Sequence, residues 1–253
     1  MKILALGDVC GAPGVETVRK NLSRLKNELS PDLVILNGEN ASGRGISPDD
    51  AGELFRAGVD VITLGNHAFS NRQICEYLDE HKDIIRPLNM PKMPGEGKAV
   101  VDVQGVRVCV ANILGRLNMS FNVENPFEAA ERLLESTDAD LFVIDFHAEA
   151  TSEKKAFGFS FSERAAVIFG THTHVQTADE CILPGGCGYI TDLGMTGSAL
   201  SVIGVKPQQS IDFFRGKLTQ RFESAEEDCR LQGALFTIGQ DKKCSNVERI
   251  NFI

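Results

Sequence analysis

Three short apolar runs near the start of the chain constrain its fold more than any other feature. They are "KILALGD", "DLVILNGEN" and "VDVITLGNH", and each breaks off at a glycine-containing polar turn. A strand with one wet face alternates apolar and polar residues, so a continuous apolar run implies burial on both faces. Helical patterns separate the runs. Val15, Val18, Leu22, Leu25 and Leu29 recur at helical spacing and predict a helix over 15–29. "SPDDAGELFRAG" carries its own punctuation, with Ser47 as N-cap, Pro48 at the first position and Gly58 as the stop. "SNRQICEYLDEH" predicts a third helix. Buried strands alternating with amphipathic helices specify an α/β fold with a parallel sheet covered on both sides.

The middle of the chain changes character. "KAVVDVQGVRVCVANI" (98–113) predicts two strands around the turn "VQGV". "GRLNMSFNVENPF" (115–127) has no period and is long enough for a functional loop. A helix over about 127–136, the strand "DLFVIDFHAE", a helix from about Ser152 and the strand "AAVIFGTHTH" follow. After Glu180, "CGYITDLGMTG", "ALSVIGV", "LQGALFTIG" and "VERINFI" read as strands between Gly-rich turns, with one short helix near 207–216. This predicts a second, largely antiparallel sheet within one domain spanning 1–253.

The formal net charge is −9. Long nucleic acids are held through phosphate neutralisation by Lys and Arg, so neither a polynucleotide nor an anionic membrane is an expected partner. No apolar run approaches the ~20 residues of a membrane span, and "MKILALGD" reaches Gly7 and Asp8 too soon for a signal-peptide core. Seven cysteines, an odd number without C-x-x-C, suit free thiols in a reducing cytoplasm. Cys181 and Cys187 flank "ILPGG", where a turn could bring them face to face, but free thiols are the expectation for this pair as well.

Five strand ends share one design. Asp8 follows "LALG", Glu39 and Asn40 follow "VILNG", Asn66 and His67 follow "VITLG", Asp145 and His147 close "FVIDFH", and His172 and His174 follow "VIFGT". Each has a plain reading: Asp8 as a helix cap, Glu39-Asn40 as a turn, Asn66-His67 as a helix start, His147 as a hydrogen-bonded core residue. His172 and His174 are the stronger signal, because residues i and i+2 of a strand point the same way. Four of the five histidines lie at these ends, and only His81 reads as a surface residue. Ligands of open α/β sheets bind beyond the carboxyl ends of the strands. Carboxylates, carboxamides and imidazoles gathered there suit a hydrolytic divalent ion such as Mn, Fe, Zn or Co, in numbers sufficient for two ions.

The ordered motifs GD, GEN, GNH, FHAE and GTHTH resemble those of the calcineurin-like metallophosphoesterases. Cys10 stands where that pattern has a histidine, Glu39 where it has an aspartate, and no acid follows His67. With "DFHAEATSEK", "GTHTHVQTADE" and "YITDLGMTG", these departures are similar to the YmdB-like bacterial phosphodiesterases over the whole chain. The resemblance implies a layered α/β sandwich of two mixed β-sheets flanked by helices. It also implies two divalent metal ions (Fe, Mn or Zn): Asp8, Asn40 and His174 on one, Asn66, His147 and His172 on the other, and Glu39 between them. His67 would stay unligated beside the scissile phosphate. The expected reaction is hydrolysis of a small-molecule phosphodiester, 2′,3′- or 3′,5′-cyclic nucleotides, by a metal-bridging hydroxide, with His67 protonating or hydrogen-bonding the leaving oxygen.

Asp145 and Glu149 read either as orienters of His147 or as ordinary polarity. Cys10 reads as a soft-metal ligand or a small buried residue. Arg44 and Arg116 are the nearest cations for a phosphate clamp, and the loop 115–127 and "GMTG" (194–197) either line a nucleoside pocket or merely connect. The alternatives are a metal-binding regulatory sensor with little turnover and a different metallohydrolase, such as a phosphomonoesterase or an amidohydrolase. The number of copies that assemble is left open, a homo-oligomer included.

Overall fold

A computed structural model of the chain describes residues 1–90, 92–120, 122–218 and 221–253. Strand β1 (Lys2–Leu6) and the short β2 (Asp8–Val9) lead into α1 (Gly11–Leu29). Then come β3 (Leu33–Asn37), α2 (Pro48–Ala57), β4 (Val61–Thr63), α3 (Ile74–Glu80) and β5 (Ile84–Ile85). The middle holds β6 (Lys98–Val103), β7 (Val106–Leu114), α4 (Pro126–Ser136), β8 (Leu141–His147), α5 (Thr151–Phe161) and β9 (Val167–Thr171). The chain closes with β10 (Cys181–Leu183), β11 (Cys187–Ile190), β12 (Met195–Ser198), α6 (Pro207–Phe214), β13 (Cys229–Ile238) and β14 (Cys244–Phe252).

Local chemistry explains the boundaries. The Ser47 side chain accepts the Asp50 N–H, and Gly58 ends α2 at φ 106°. The 98–113 hairpin turns through Gln104 and Gly105, at φ 55° and 85°, as a two-residue turn with both central residues left-handed. α1 begins at Gly11, earlier than its apolar period, because "GAPG" offers no apolar stripe to read.

The strands form two mixed sheets. The first runs β2-β12-β13-β1-β3-β4-β5, with β14 also on β13; the second runs β10-β11-β9-β8-β7-β6. β1, β3, β4 and β5 are mutually parallel, as are β7, β8, β9 and β11. Alternation along β1 and β3 separates the layers. Ile3, Ala5, Leu33 and Ile35 pack between the sheets against Val110, Val143 and Phe169. Leu4, Leu6, Val34 and Leu36 face outward onto Val18 and Leu22 of α1 and Leu54 of α2. On the far side, Ile144, Phe146 and Ile168 meet Phe157 and Phe161 of α5. The order is helices, sheet, sheet, helices: an α/β layered sandwich.

Three expectations need correction. The second sheet is parallel at its centre and antiparallel only at its edge pairs, β6–β7 and β10–β11. The strands after Glu180 do not form a sheet of their own; β10 and β11 extend the second sheet and β12 to β14 the first. A strand pattern shows burial, not which strand lies alongside. "ALSVIGV" is a series of turns closed by a Val202–Val205 bridge. Cys181 pairs with Tyr189 and Cys187 with Leu183, so the two thiols are not opposite each other, and both are free.

Candidate metal centre

The parallel alignment brings the carboxyl ends of β1, β3 and β4 to the same end of the first sheet, facing those of β8 and β9 in the second. All seven residues expected to bind metal gather there, as does His67. The Glu39 Oε1 lies 3.1 Å from His147 Nε2 and 3.4 Å from the Asn40 amide nitrogen. His147 Nε2 also lies 3.0 Å from Asn66 Oδ1 and 3.1 Å from His172 Nδ1. His174 Nε2 is 3.2 Å from the Asn40 Nδ2 and 3.7 Å from Asp8 Oδ1. Gly65 makes the approach possible: a Cβ there would sit 2.3 Å from Glu39 Oε2 and 2.4 Å from His147 Nε2.

The hydrogen bonds behind the imidazoles decide which nitrogen faces inward. Thr171 Oγ1 donates to Asp145 Oδ1 at 2.6 Å and so accepts from His147 Nδ1 at 2.8 Å. That leaves His147 Nε2 toward the centre. Asp145 thus reaches His147 through Thr171, and its other oxygen is held by Thr63 at 2.5 Å and Asn37 at 3.2 Å. His172 Nε2 donates to Glu149 Oε2 at 3.2 Å, which turns Nδ1 inward. His174 Nδ1 donates to the Ile203 carbonyl at 3.0 Å, which frees Nε2. Glu39 Oε2 accepts the His67 backbone N–H at 2.8 Å, so only Oε1 faces inward.

These residues fit a cation. Glu39 Oε1, Asn66 Oδ1 and His172 Nδ1 each lie within 3.1 Å of His147 Nε2, and acceptors crowded this closely call for a proton or a metal between them. Glu39, His147 and His172 hold their ligand atoms within 4.8 Å of one another. Asp8 Oδ1 is buried without a hydrogen-bond partner among the described residues, a costly state unless a cation satisfies it. Asn40 fits once its amide is turned over, because the terminal rotation exchanges Nδ2 for the carbonyl oxygen.

Burial and the mutual pull of carboxylates and imidazoles set the titration of the site. Burial pushes Asp8 up to about 6, against the pull of His174 and His147. Burial would also raise Glu39, but the charge and hydrogen bond of His147 carry it down to about 2. Burial alone would lower His147; Glu39 raises it. Burial, with His147 alongside, pushes His172 down to about 3.

The histidine pair itself differs from expectation. β9 ends at Thr171, and His172 and His174 adopt φ of 100° and 64°. They do not sit side by side on a strand; two left-handed residues throw their rings in different directions, His172 toward His147 and His174 toward Asn40. Residue type and spacing carry no sign of that reversal. Cys10 Sγ lies 3.3 Å from His174 Nδ1, the nitrogen turned away from the centre, and 3.4 Å from the Asp8 carbonyl. It backs the histidine and does not face the acceptors.

"GMTG" is not a pocket-lining loop. Met195–Ser198 is the buried β12, paired with Asp8 and Val9, so it supports the first turn from below. The 115–127 loop starts where Gly115 N–H meets the His147 carbonyl at 2.9 Å, and Met119 and Val123 pack on Met90 and Leu114. Phe121 of that loop lies outside the described residues. Arg44 and Arg116 are exposed. Sequence reasoning missed Asn37, Thr63, Thr171, Lys154 and Asp192. The first three are ordinary strand polarity until a partner sheet is laid over them. No helix of the described chain is long and apolar enough to cross a membrane.

Comparison with known proteins places this geometry in a family. The chain is 40% identical over 255 residues to a 2′,3′-cyclic-nucleotide 2′-phosphodiesterase of Bacillus subtilis (strain 168), covering 99% of this chain and 96% of the relative. A crystal structure of a phosphatase from Mycoplasma pneumoniae superposes with TM-score 0.93 at 37% identity, over 100% of this chain and 93% of that one. A hypothetical protein from Thermus thermophilus gives TM-score 0.93 at 36% identity, over 100% and 99%. The layered sandwich is that of the calcineurin-like metallophosphoesterases. The YmdB-like protein description matches residues 4–250, and with 40% identity across nearly the whole chain the protein belongs to the YmdB-like family.

Proposed function

We propose that the protein is a metal-dependent phosphodiesterase, one domain over residues 1–253, acting on 2′,3′-cyclic nucleotides and, second, on 3′,5′-cyclic nucleotides. The observation that carries this reading is the convergence of Glu39 Oε1, Asn66 Oδ1, His147 Nε2 and His172 Nδ1 beside an unpartnered Asp8 Oδ1. When metal is bound, Asn66, His147 and His172 would hold one divalent ion (Fe, Mn or Zn), Asp8, Asn40 and His174 would hold the other, and Glu39 Oε1 would be available to both. Bound there, the pair supplies Lewis-acid activation of water and neutralises charge on the phosphoryl oxygens.

The chain's own residues do the rest. His67 is half-buried, and burial lowers its pKa, with Glu39 opposing and Arg44 reinforcing. It is therefore the neutral imidazole that serves near neutral pH. Its Nε2 accepts from the Asn66 amide at 3.3 Å, which leaves Nδ1–H as a hydrogen-bond donor to the leaving oxygen. Asp145, through Thr171, and Glu149 hold the two imidazoles of the first ion in the ligand tautomer. A diester carries a single negative charge, so it needs no Lys or Arg clamp, and the strand-end motifs contain none. The name of the B. subtilis relative supports cleavage of the P–O2′ bond. Seven free thiols support a cytoplasmic setting.

The test is hydrolysis of bis-p-nitrophenyl phosphate, 2′,3′-cAMP and 3′,5′-cAMP by purified protein with Mn²⁺, Fe²⁺ or Zn²⁺ and with chelator. Metal-dependent turnover of 2′,3′-cAMP is expected. A protein that holds metal but turns over no diester would be a sensor instead.

A further inference from the structure

We propose that Lys154 and Asp192 form a positioning device for the histidine turn, setting the orientation of His172; this rests on the metal-centre reading. Lys154 lies on α5, yet its side chain is 2% exposed, and that of Asp192 is 1% exposed. Lys154 Nζ donates to Asp192 Oδ2 at 2.7 Å and to the Thr171 carbonyl at 2.8 Å. Asp192 Oδ2 also accepts the Thr173 N–H at 3.2 Å, and its Oδ1 accepts the Gly194 N–H at 2.9 Å. One ion pair therefore grips the peptide groups on both sides of His172. The Asp192 backbone extends the grip, taking the Thr177 N–H at 3.1 Å and giving its own N–H to Thr177 Oγ1 at 3.0 Å.

The target of that grip is a strained residue. His172 sits at φ 100°, outside the wells that side-chain-bearing residues favour. Such a conformation persists only where its surroundings over-determine it. Asp8 holds the His172 N–H at 3.1 Å, and the ion pair holds the two flanking groups. Gly170 makes room, since a Cβ there would lie 1.9 Å from the Thr191 carbonyl and 3.0 Å from Lys154 Cδ and Cε.

Stability alone does not account for the pair. Desolvation of two buried charges commonly cancels their attraction, and apolar replacements of similar volume are often as stable. What apolar residues cannot do is accept Thr173 N–H and donate to Thr171 C=O together. The pair thus fixes His172 Nδ1 at 3.1 Å from His147 Nε2.

The experiment uses the Lys154→Met/Asp192→Asn double variant, which leaves no buried charge unpaired. Chelator-treated protein is melted, Mn²⁺ binding is titrated, and the His172 imidazole resonance is read in metal-free protein. The expected result is a parent-like melt, a displaced His172 resonance and ~10–100-fold weaker binding of one Mn²⁺, the usual scale for groups that orient ligands. With Mn²⁺ restored, kcat falls and KM stays. A folded double variant with the parent's resonance and Mn²⁺ affinity overturns the proposal. If the double variant does not fold, Lys154→Gln decides by the same two measurements. If the parent protein itself takes up no Mn²⁺, the functional reading fails, while the metal-free resonance still decides the positioning role.

Discussion

At one end of the centre each imidazole is held from behind: His147 through Thr171 to Asp145, and His172 through its Nε2 to Glu149. At the other end Asp8 keeps one buried oxygen without a hydrogen-bond partner among the described residues, and Asn40 turns its amide nitrogen toward His174 Nε2. The first end is organised before any ion arrives. The second is not: the Asp8 carboxyl is held up to about 6 by burial, and the Asn40 amide must rotate to offer an oxygen to a cation. Glu39 Oε1 faces both ends, so the two differ in order of assembly and not only in ligand identity. On the proposed reading, the end held by Asp145 and Glu149 is expected to fill first, which stepwise Mn²⁺ titration of chelator-treated protein checks.

The sharpest break of this asymmetry removes both ends at once. Gly65→Ala drives a methyl into Glu39 Oε2 and His147 Nε2. Elemental analysis is expected to find no bound metal, and diesterase activity falls to background. Two retained metals in this variant would mean that Glu39 and His147 are not ligands. Next comes His67→Ala. It keeps both metals and loses ~10²–10⁴ in kcat, the range for a positioned acid or donor. If it lost its metals instead, His67 would be a ligand and its assigned role wrong.

The difference between the ends also marks what could be read in the sequence. Residue types at strand ends were legible, because a buried apolar run and the polar turn after it are contiguous in the chain. Asp8, Glu39, Asn40, Asn66, His67, His147, His172 and His174 do come together. The parallel α/β sheet followed from runs such as Leu33–Leu36, buried on both faces, while the sandwich of two mixed sheets was legible only through the family resemblance. Partner choice was not legible: "CGYITDLGMTG" reads as one strand yet contributes β11 to one sheet and β12 to the other. Nor was the left-handed backbone of His172 and His174, which is imposed by groups distant in sequence. Lys154 in "TSEKK" looks like a solvated helical lysine; Gly170 leaves it room and Asp192 pairs it, both from other parts of the chain.

The second end can be probed by pH. Burial raises Asp8 from 3.8 to about 6 in the metal-free protein. A carboxyl with a raised folded-state pKa binds more protons folded than unfolded between those values. Stability therefore falls as pH climbs from about 4 to about 6, by roughly 3 kcal/mol from this group. Glu39, held at about 2, acts in the opposite sense and in a lower window, losing its contribution as pH falls from 4.5 toward 2. Chelator-treated protein is expected to melt lower at pH 7 than at pH 5, and Asp8→Asn to flatten that difference. Mn²⁺ reverses it, since the ion binds only the ionised carboxylate. An unchanged slope in Asp8→Asn would assign the titration elsewhere.

The smallest effect separates the two ends at their rim. Cys10 touches His174 on the nitrogen that faces away from the acceptors, where Ile203 already takes the proton. Its thiol is thus a weak neighbour of the second end and not one of its ligands. A neutral hydrogen bond is worth ~1 kcal/mol net, so Cys10→Ala lowers Mn²⁺ affinity by less than about tenfold. The ratio of Cd²⁺ to Mn²⁺ affinity is the decisive measurement, because a thiolate ligand favours the softer ion. That ratio stays at the parent's value in Cys10→Ala if the thiol only backs His174. A fall in the ratio would place sulfur in the coordination sphere, and would mean that His174 turns over on metal binding to present its Cys10-facing side.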